Sequence, residues 1–450
     1  MKRVDLLNMA HEIIQITLTK QESENLMLLE EGLGDFQSNA TSIKPLIERA
    51  MLPLRKSASY DEKKMDRYFE PISVSFGPLH HVKECKQGST IEKAEKFKRR
   101  LAAMFISYSG NQKEDLYKNV KKEIKSLKDC YDPIEVVDWR DEELAWMFLV
   151  DGCALLHFIF LYEKGMPMEL DGLTVQRAIV VHDLFLLENQ LPFQLLKILI
   201  DSCTGKFPQG LKDSIGEFIG RLFVSPVQTH PCQRQQQEEP VHLLALLRSK
   251  LIGQRVNCKS QEKDGLRKWP TYRNVKELKA KGIHFKAKEM IDDITDIDFN
   301  LRSCVPTVTL APILVNDDTM PILLNLMAYE MSLDFINEFE ITSYVAFLES
   351  LIDSGEDVKE LRHAGVLNNG LGSDEAVAEM FNKISDYLVP NPEKYRELKE
   401  RIQHHCDLAW ASDVAYFCHT YFRGPWSFVV FVVTVAGLIM TGLQTYNSFN

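Results

Sequence analysis

The 450-residue sequence lacks the cysteine patterns that mark disulfide frameworks and zinc sites. Its 9 cysteines are an odd number, no CxxC occurs, and several stand inside apolar runs. These features favour free thiols in a reducing compartment. An excess of basic residues is also missing, since the formal net charge is −11. That balance argues against a general nucleic-acid-binding protein, which needs a basic face toward the phosphates.

Most catalytic signatures are absent as well. There is no GxSxG nucleophile elbow, no GxxxxGK phosphate loop and no HExxH zinc helix. The N-terminal residues hold no apolar run of signal-peptide length, because Asp5 and Glu12 interrupt it. We therefore predict no enzyme, no catalytic, cofactor-binding or metal-ligating residue, and no cleaved signal.

One apolar run is long enough to cross a membrane. Residues 426–443, WSFVVFVVTVAGLIMTGL, carry no charge and as a helix span roughly 27 Å, close to a bilayer core of roughly 30 Å. Pro425 suits a first helical turn, and Tyr446 suits a membrane interface. We predict a single-pass transmembrane anchor over 424–446 that contacts lipid. Arg423 and the uncharged tail favour a body on the cytoplasmic side of the plasma membrane or an endomembrane.

A second apolar run, 145–162, is interpreted as the central core helix of the soluble body. Asp151 stands in its middle, and a lipid-facing carboxylate is costly. Asp138 is placed to cap the helix, and Asp141 lies in its first turn, where acidic groups suit the helix dipole. Because Asp151 is buried in this interpretation, it must have a partner, and Gly152 beside it allows a close approach of another element.

The chain divides into three predicted parts. Residues 1–65 form a variable polar leader, residues 66–420 a helical body and residues 424–446 the anchor. Residues 226–240, PVQTHPCQRQQQEEP, lose all periodicity and are predicted to be an exposed loop.

The predicted fold class is mainly α with a small antiparallel β hairpin. Residues 296–302 and 306–313 alternate polar and apolar side chains at period two, as paired strands do. Helical spacing is found in 90–128, 139–163, 183–200 with a break at Pro192, 242–251, 321–336, 339–354, 374–388 and 391–419.

One short motif offers metal chemistry. Asp292, Asp293 and Asp296 match DDxxD, the carboxylate cluster with which helical terpene synthases hold magnesium and diphosphate. The motif runs directly into the alternating segment, so its helix would have to end at once. The second metal motif of those enzymes is missing. An acidic turn before a strand is the simpler interpretation, and a metal-dependent enzyme using these carboxylates is the alternative.

Other metal-ligating side chains occur in two short groups. His80, His81 and Cys85 form one, and His404 with His405 and Cys406 forms the other. Neither group supplies four ligands at zinc-site spacing, so both are interpreted as turn or surface residues. Cys418, close to the predicted anchor, is interpreted as a free thiol, with palmitoylation as the alternative.

An ordered set of segments resembles one plant family. The segments are SVSFGPLHH (73–81), MFLVDGCALLHF (147–158), HDLFLLENQLPF (182–193), HLLALLR (242–248), ELKAKGIHFK (277–286), NLMAYE (325–330), the long block 341–384 and GPWSFVVFVV (424–433). The chain is similar to the family named domain of unknown function 247 over residues 66–443. The resemblance implies a plant protein with a C-terminal membrane helix and no established enzyme activity. Some grass relatives are implicated in pollen-side self-incompatibility.

The sequence departs from that family pattern at two helices. His157 stands where the resemblance implies Glu, and His182 where it implies Arg. These paired departures suggest a contact between the two histidines that responds to pH near 6 to 7.

The leading hypothesis is a membrane-anchored recognition or interaction protein with an unknown protein partner. Variable surface loops would carry its specificity, with 20–66, 226–240 and the basic 249–273 as candidates.

Overall fold

A computed structural model describes the chain over residues 46–50, 68–81, 90–165, 169–170, 173–174, 177–204, 207–220, 239–253, 273–289, 293–301, 305–332, 339–385, 388–407 and 425–449. The compact unit that holds these residues runs from Leu46 to Asn450. The leader up to residue 45 and the loop over 226–238 lie outside the described residues, so the predicted domain boundaries stay predictions.

The structure is mainly helical, as predicted, with small sheets of few strands. The helices are α1 Thr90–Ser109, α2 Lys113–Lys122, α3 Ile124–Lys128, α4 Pro133–Val136, α5 Asp141–Glu163, α6 Arg177–Leu184, α7 Phe193–Ser202, α8 Phe207–Gly220, α9 Leu243–Leu251, α10 Val275–Ala280, α11 Thr319–Glu330, α12 Glu340–Leu351, α13 Gly355–His363, α14 Asp374–Ile384, α15 Arg396–Asp407 and α16 Pro425–Phe449. The strands are β1 Glu169–Leu170, β2 Leu173–Thr174, β3 His284–Ala287, β4 Asp298–Asn300, β5 Thr307–Leu310, β6 Ile313–Val315 and β7 Leu367–Asn369.

Helix α5 is the centre of the body, which confirms its interpretation as a core helix. It is apolar on every side, and α1, α2, α7 and α8 pack around it. By length and composition α5 could cross a membrane, yet 89% of its most apolar window is buried inside the body. Asp141 lies in the first turn as expected, but the cap prediction is wrong. Arg140, not Asp138, is the N-cap residue, and its side chain makes no capping hydrogen bond.

Gly152 brings α7 close to α5. A Cβ atom built on Gly152 would lie 2.6 Å from Leu199 Cδ1 and 3.3 Å from Leu195 Cδ2. The predicted close approach is therefore confirmed, and its partner is α7.

Gly152→Leu is expected to lower the free energy of unfolding by about 1–3 kcal/mol, because the new side chain overpacks this contact. A urea titration followed by intrinsic fluorescence measures the loss. Gly210→Leu is the matched control, because a Cβ at Gly210 on α8 would meet no atom within 4 Å. Equal stability of the two variants would contradict the packing argument.

The predicted hairpin exists but is part of a larger sheet. Strands β4 and β5 pair antiparallel, with Phe299 opposite Val308. Strand β3 adds parallel to the other side of β5, giving the order β3-β5-β4. A second sheet pairs β6 and β7 in parallel. The antiparallel interpretation was therefore incomplete, since parallel pairing joins segments far apart in sequence.

Several helix boundaries differ from the expected ones, because polar residues or proline interrupt the helical pattern. The expected 183–200 helix is α6, a 3-10 turn over Leu187–Asn189 and α7, which begins directly after Pro192. Helix α13 was missed, although Ser354 and Asp357 form a capping box at its start. Residues 408–424, in which the last predicted body helix ends, lie outside the described part of the chain.

Candidate functional site

The extended segment 68–81 is held by side chains instead of by a neighbouring strand. Ile72, Ser73 and Val74 each donate a backbone N–H to the Asp183 carboxylate, at 2.8, 2.7 and 2.8 Å. Asp183 lies on α6 and is fully buried. One carboxylate thereby satisfies three backbone donors that a sheet would otherwise have to satisfy.

Asn189 continues this pattern one step along the segment. Its Oδ1 accepts the N–H of Phe76 at 2.6 Å, and its Nδ2 donates to the carbonyl oxygens of Val74 and Asp183 at 3.0 and 2.8 Å. The buried amide therefore ties the segment to the turn that follows α6.

A buried ion pair also holds the segment 68–81 in place. Lys98 Nζ on α1 donates to Asp151 Oδ1 at 2.8 Å, to the Ser75 carbonyl at 2.8 Å, and lies 2.7 Å from Glu95 Oε1. The second Asp151 oxygen accepts the N–H of Gly77 at 2.9 Å. Burial lowers the pKa of Lys98, but Asp151 and Glu95 raise it by more, so it lies above the ordinary value. Lys98 is therefore a buried ammonium, and the predicted partner of Asp151 is this residue.

Gly77 must be glycine at the turn of the segment. Its φ is +72°, and a Cβ there would lie 3.0 Å from both the Gln190 carbonyl oxygen and the Tyr131 hydroxyl. Tyr131 Oη donates to that same carbonyl at 2.9 Å. The turn thus closes against the residues that follow Asn189.

Glu188 anchors the end of the segment. Its Oε1 accepts the N–H of Ala50 at 2.9 Å, and its Oε2 lies 3.0 Å from His80 Nε2. Arg49 Nη1 lies 3.5 Å from the same carboxylate. Because Glu188, Asn189 and Gln190 are all buried, the ENQ triplet is a structural polar core instead of a surface loop.

An open groove lies directly above this polar core, between α1 and α5. Its volume is about 430 Å³. Trp139 and Trp146 line it together with the acidic residues Glu92, Glu95, Glu143 and Asp151. Trp146 is 58% exposed, although its helix is the core of the body. Sequence reasoning missed this groove because Trp146 stands within an apolar run.

Asp293 and Asp296 of the DDxxD motif flank a turn at residues 294–295. Asp293 Oδ1 accepts hydrogen bonds from the Thr295 backbone N–H at 2.7 Å and from its hydroxyl at 2.6 Å, and Asp296 pairs with Lys288. Asp292 lies outside the described residues. The turn leads directly into β4, so the simpler interpretation of these carboxylates fits their surroundings.

The interpretation of the histidine groups as turn or surface residues is wrong for His405 and Cys406, which are buried on α15. His80 bonds to Glu188, while His405 is buried with its ring 6.1 Å from that of Phe299. Cys85 and Cys418 lie outside the described residues. Across the part of the chain that the structure describes, no three His, Cys, Asp or Glu side chains are arranged to hold a metal ion.

The suggested contact between His157 and His182 is wrong. His157 stacks on Tyr108 with ring centroids 5.6 Å apart, whereas His182 Nδ1 faces Asp318 at 3.7 Å. Burial lowers the pKa of His157 to about 4, which is below the range the suggestion required. His157 and His182, the two departures from the family pattern, therefore contact different residues.

The sequence is similar to two curated proteins of Arabidopsis thaliana. The UPF0481 protein At3g47200 is 23% identical over 415 residues, which cover 84% of this chain and 82% of that protein. A second UPF0481 protein, At3g02645, is 21% identical over 473 residues, covering 84% of this chain and 87% of the relative. No solved structure matches the chain.

The family described as plant protein of unknown function, DUF247, matches residues 55–440. The chain belongs to this family. The match includes the segment 68–81, the ENQ triplet and both helices of the groove. In this DUF247 protein the ordered motifs at 73–81, 147–158 and 182–193 therefore meet in one buried polar core, although they are distant in sequence.

Proposed function

We propose that this DUF247 protein is a membrane-anchored interaction protein that binds another protein through its cytoplasmic body and carries out no catalysis. The observation that carries the proposal is helix α16, which extends over 25 residues. Leu438, Ile439 and Met440 follow one another on it and are 69%, 59% and 67% exposed. Successive helical residues point about 100° apart. Apolar side chains therefore face outward in several directions, as lipid-facing helices require.

The character of the body supports the absence of catalysis. Its buried charges, such as Asp183, Glu188 and Lys98, are engaged by backbone groups, and Lys98 also by the carboxylate of Asp151. Groups held in this way position a segment of chain and are not free to exchange protons with a substrate. The exposed indole of Trp146 is instead typical of binding surfaces.

Deleting residues 424–450 is expected to move the protein from the membrane fraction to the soluble fraction. The physical reason is that α16 exposes apolar side chains such as Leu438 and Ile439 to its surroundings. Carbonate extraction followed by immunoblotting measures the change, and replacing Thr434 by Leu is a control that keeps the apolar surface. A truncated protein that still resists carbonate would place the anchor elsewhere.

Glycosylation at Asn39 tests on which side of the membrane the body lies. Asn39-Ala40-Thr41 is a glycosylation sequon, and with a cytoplasmic body it stays unmodified. A glycosidase-sensitive mass shift that disappears in Asn39→Gln would reverse the orientation while leaving the anchor in place.

A pollen-side role in self-incompatibility is a narrower form of this proposal and rests on the family resemblance alone. It requires allelic variation to concentrate in surface loops, with 20–66, 226–240 and 249–273 as candidates. Variation spread evenly over the body, or absent from these loops, would argue for an adaptor without allele specificity.

A further inference from the structure

We propose that the groove between α1 and α5 binds an arginine or lysine side chain presented by the partner protein. This inference rests on the proposed function and specifies the chemistry of its binding surface. Three observations support it: the aromatic walls, the acidic lining and the volume of the groove.

The aromatic walls suit a cation. Trp146 exposes 58% of its surface on a helix in which 16 residues are buried, so it is reached from solvent. Trp139 lines the same groove, with the ring of His81 packed edge-on at 5.4 Å. The face of an indole attracts guanidinium and ammonium groups more strongly than other aromatic faces do. Two indoles in one groove therefore favour a cationic side chain over an acidic one.

The lining charges point the same way. The groove is lined by four carboxylates: Glu92, Glu95, Glu143 and Asp151. Among its described lining residues, Arg99 carries the positive charge. Lys98 beneath the groove pairs with both Asp151 and Glu95, so one lysine is shared by two carboxylates and the lining keeps an acidic excess.

The acidic walls are accessible to a competing cation. Glu92 pairs with Lys96, whose side chain is 62% exposed, and Glu143 pairs with Arg140, whose side chain is 79% exposed. The carboxylates themselves keep 23% (Glu92) and 36% (Glu143) of their side chains exposed. Because their cationic partners are solvated, these pairs contribute little to stability, and an incoming guanidinium can take the place of the lysine or arginine. Lys98 is the exception, since its side chain is 1% exposed and it holds the floor of the groove.

The volume indicates a side chain on a polypeptide. About 430 Å³ is within the range of ligand sites and is larger than one arginine side chain requires. The remaining space accommodates the backbone on either side of the arginine. A protein segment therefore matches the groove better than a free small amine.

The test uses the full chain in nanodiscs and blocked pentapeptides that differ only at the central residue. Peptides with Arg, Lys, Gln or Glu between pairs of glycines are titrated, and binding is followed by ¹⁹F NMR of 5-fluorotryptophan. We expect saturable binding in the order Arg, Lys, Gln, with no saturation by Glu. Affinity for the Arg peptide should fall as salt rises, because salt screens the attraction of the carboxylates.

Two variants assign the binding to this groove. Trp146→Ala should weaken binding of the Arg peptide about fivefold, consistent with the loss of a cation–π contact at an exposed site. Glu143→Gln should weaken it about threefold, as expected for a partly exposed charge contact. Glu379→Gln is the control, since Glu379 on α14 forms a similar exposed pair with Lys383 and should bind as the parent does. Equal unfolding midpoints of the variants show that the fold is intact.

Several outcomes would overturn the inference. They are no saturable binding of the Arg peptide by the parent, equal binding of the Arg and Glu peptides, or unchanged binding by Trp146→Ala. Failure of the groove is distinguishable from failure of the proposed function, because the groove variants leave carbonate extraction unaffected. If the protein remains in the membrane fraction but does not bind cationic peptides, the groove assignment is wrong and the membrane-anchor proposal is unaffected.

Discussion

Replacing Lys98 by methionine is expected to lower the free energy of unfolding by about 3–5 kcal/mol, the range found when one partner of a buried ion pair is removed. Methionine keeps most of the apolar stem but leaves Asp151 without its counter-charge. Asp151 is 1% exposed, so water does not replace the lost ammonium. The Ser75 carbonyl loses a donor at the same time.

The measurement is urea unfolding of the full chain in detergent, and two variants make it decisive. Lys96→Met removes a lysine two positions away on α1 whose side chain is 62% exposed, and it should cost far less. The double variant Lys98→Met with Asp151→Leu should recover part of the loss, since no uncompensated charge remains in the core. Similar losses for Lys96→Met and Lys98→Met would show that the pair does not support the fold.

The need for a partner of Asp151 followed from the sequence, but the identity of that partner did not. Lys93, Lys96 and Lys98 all lie on α1, and local spacing does not decide which of them faces α5. That choice depends on how two helices pack, which is a tertiary property. The same limit applies to Asp183, whose three backbone partners are more than 100 positions away.

The strands show where local pattern was sufficient and where it was not. The pairing of β4 with β5 joins neighbouring alternating segments, and period-two alternation predicted it. Strand β3 alternates exposed and half-buried side chains without a fully buried face, and its partner β5 is parallel. Parallel pairing depends on a connection through other elements, so the sequence near β3 carries little signal for it.

The sequence pattern did not predict the groove, because α5 is hydrophobic on all sides. A helix that is apolar on all sides has no period from which an exposed face is recognised. In the sequence, nothing therefore distinguished Trp146 from a core residue, whereas in the structure it is exposed and lines an open groove with residues of α1. The signal that was available is chemical: a tryptophan three and four residues after Glu143 and Glu142 suits a binding surface as well as a core.

His157→Phe is expected to make the protein less sensitive to acid. Burial lowers the pKa of His157 to about 4, and neither ring nitrogen has a hydrogen-bond partner. Between the ordinary value of 6.5 and about 4, the unfolded chain binds a proton that the folded chain does not. Stability is therefore fully present above pH 6.5 and falls with decreasing pH, by up to about 1.4 kcal/mol per pH unit.

Phenylalanine removes that titration while keeping a ring to stack on Tyr108. Urea midpoints at pH 7.5 and pH 5.0 measure the effect, and the decrease between them should be smaller in the variant than in the parent. The decrease should not vanish, because burial also lowers the pKa of His242 to about 3 and that residue remains. Replacing the exposed His363 by phenylalanine controls for the loss of an imidazole outside the core. Equal decreases in the parent and His157→Phe would mean that His157 is protonated in the folded protein, and the stacked, uncharged arrangement on α5 would then be wrong.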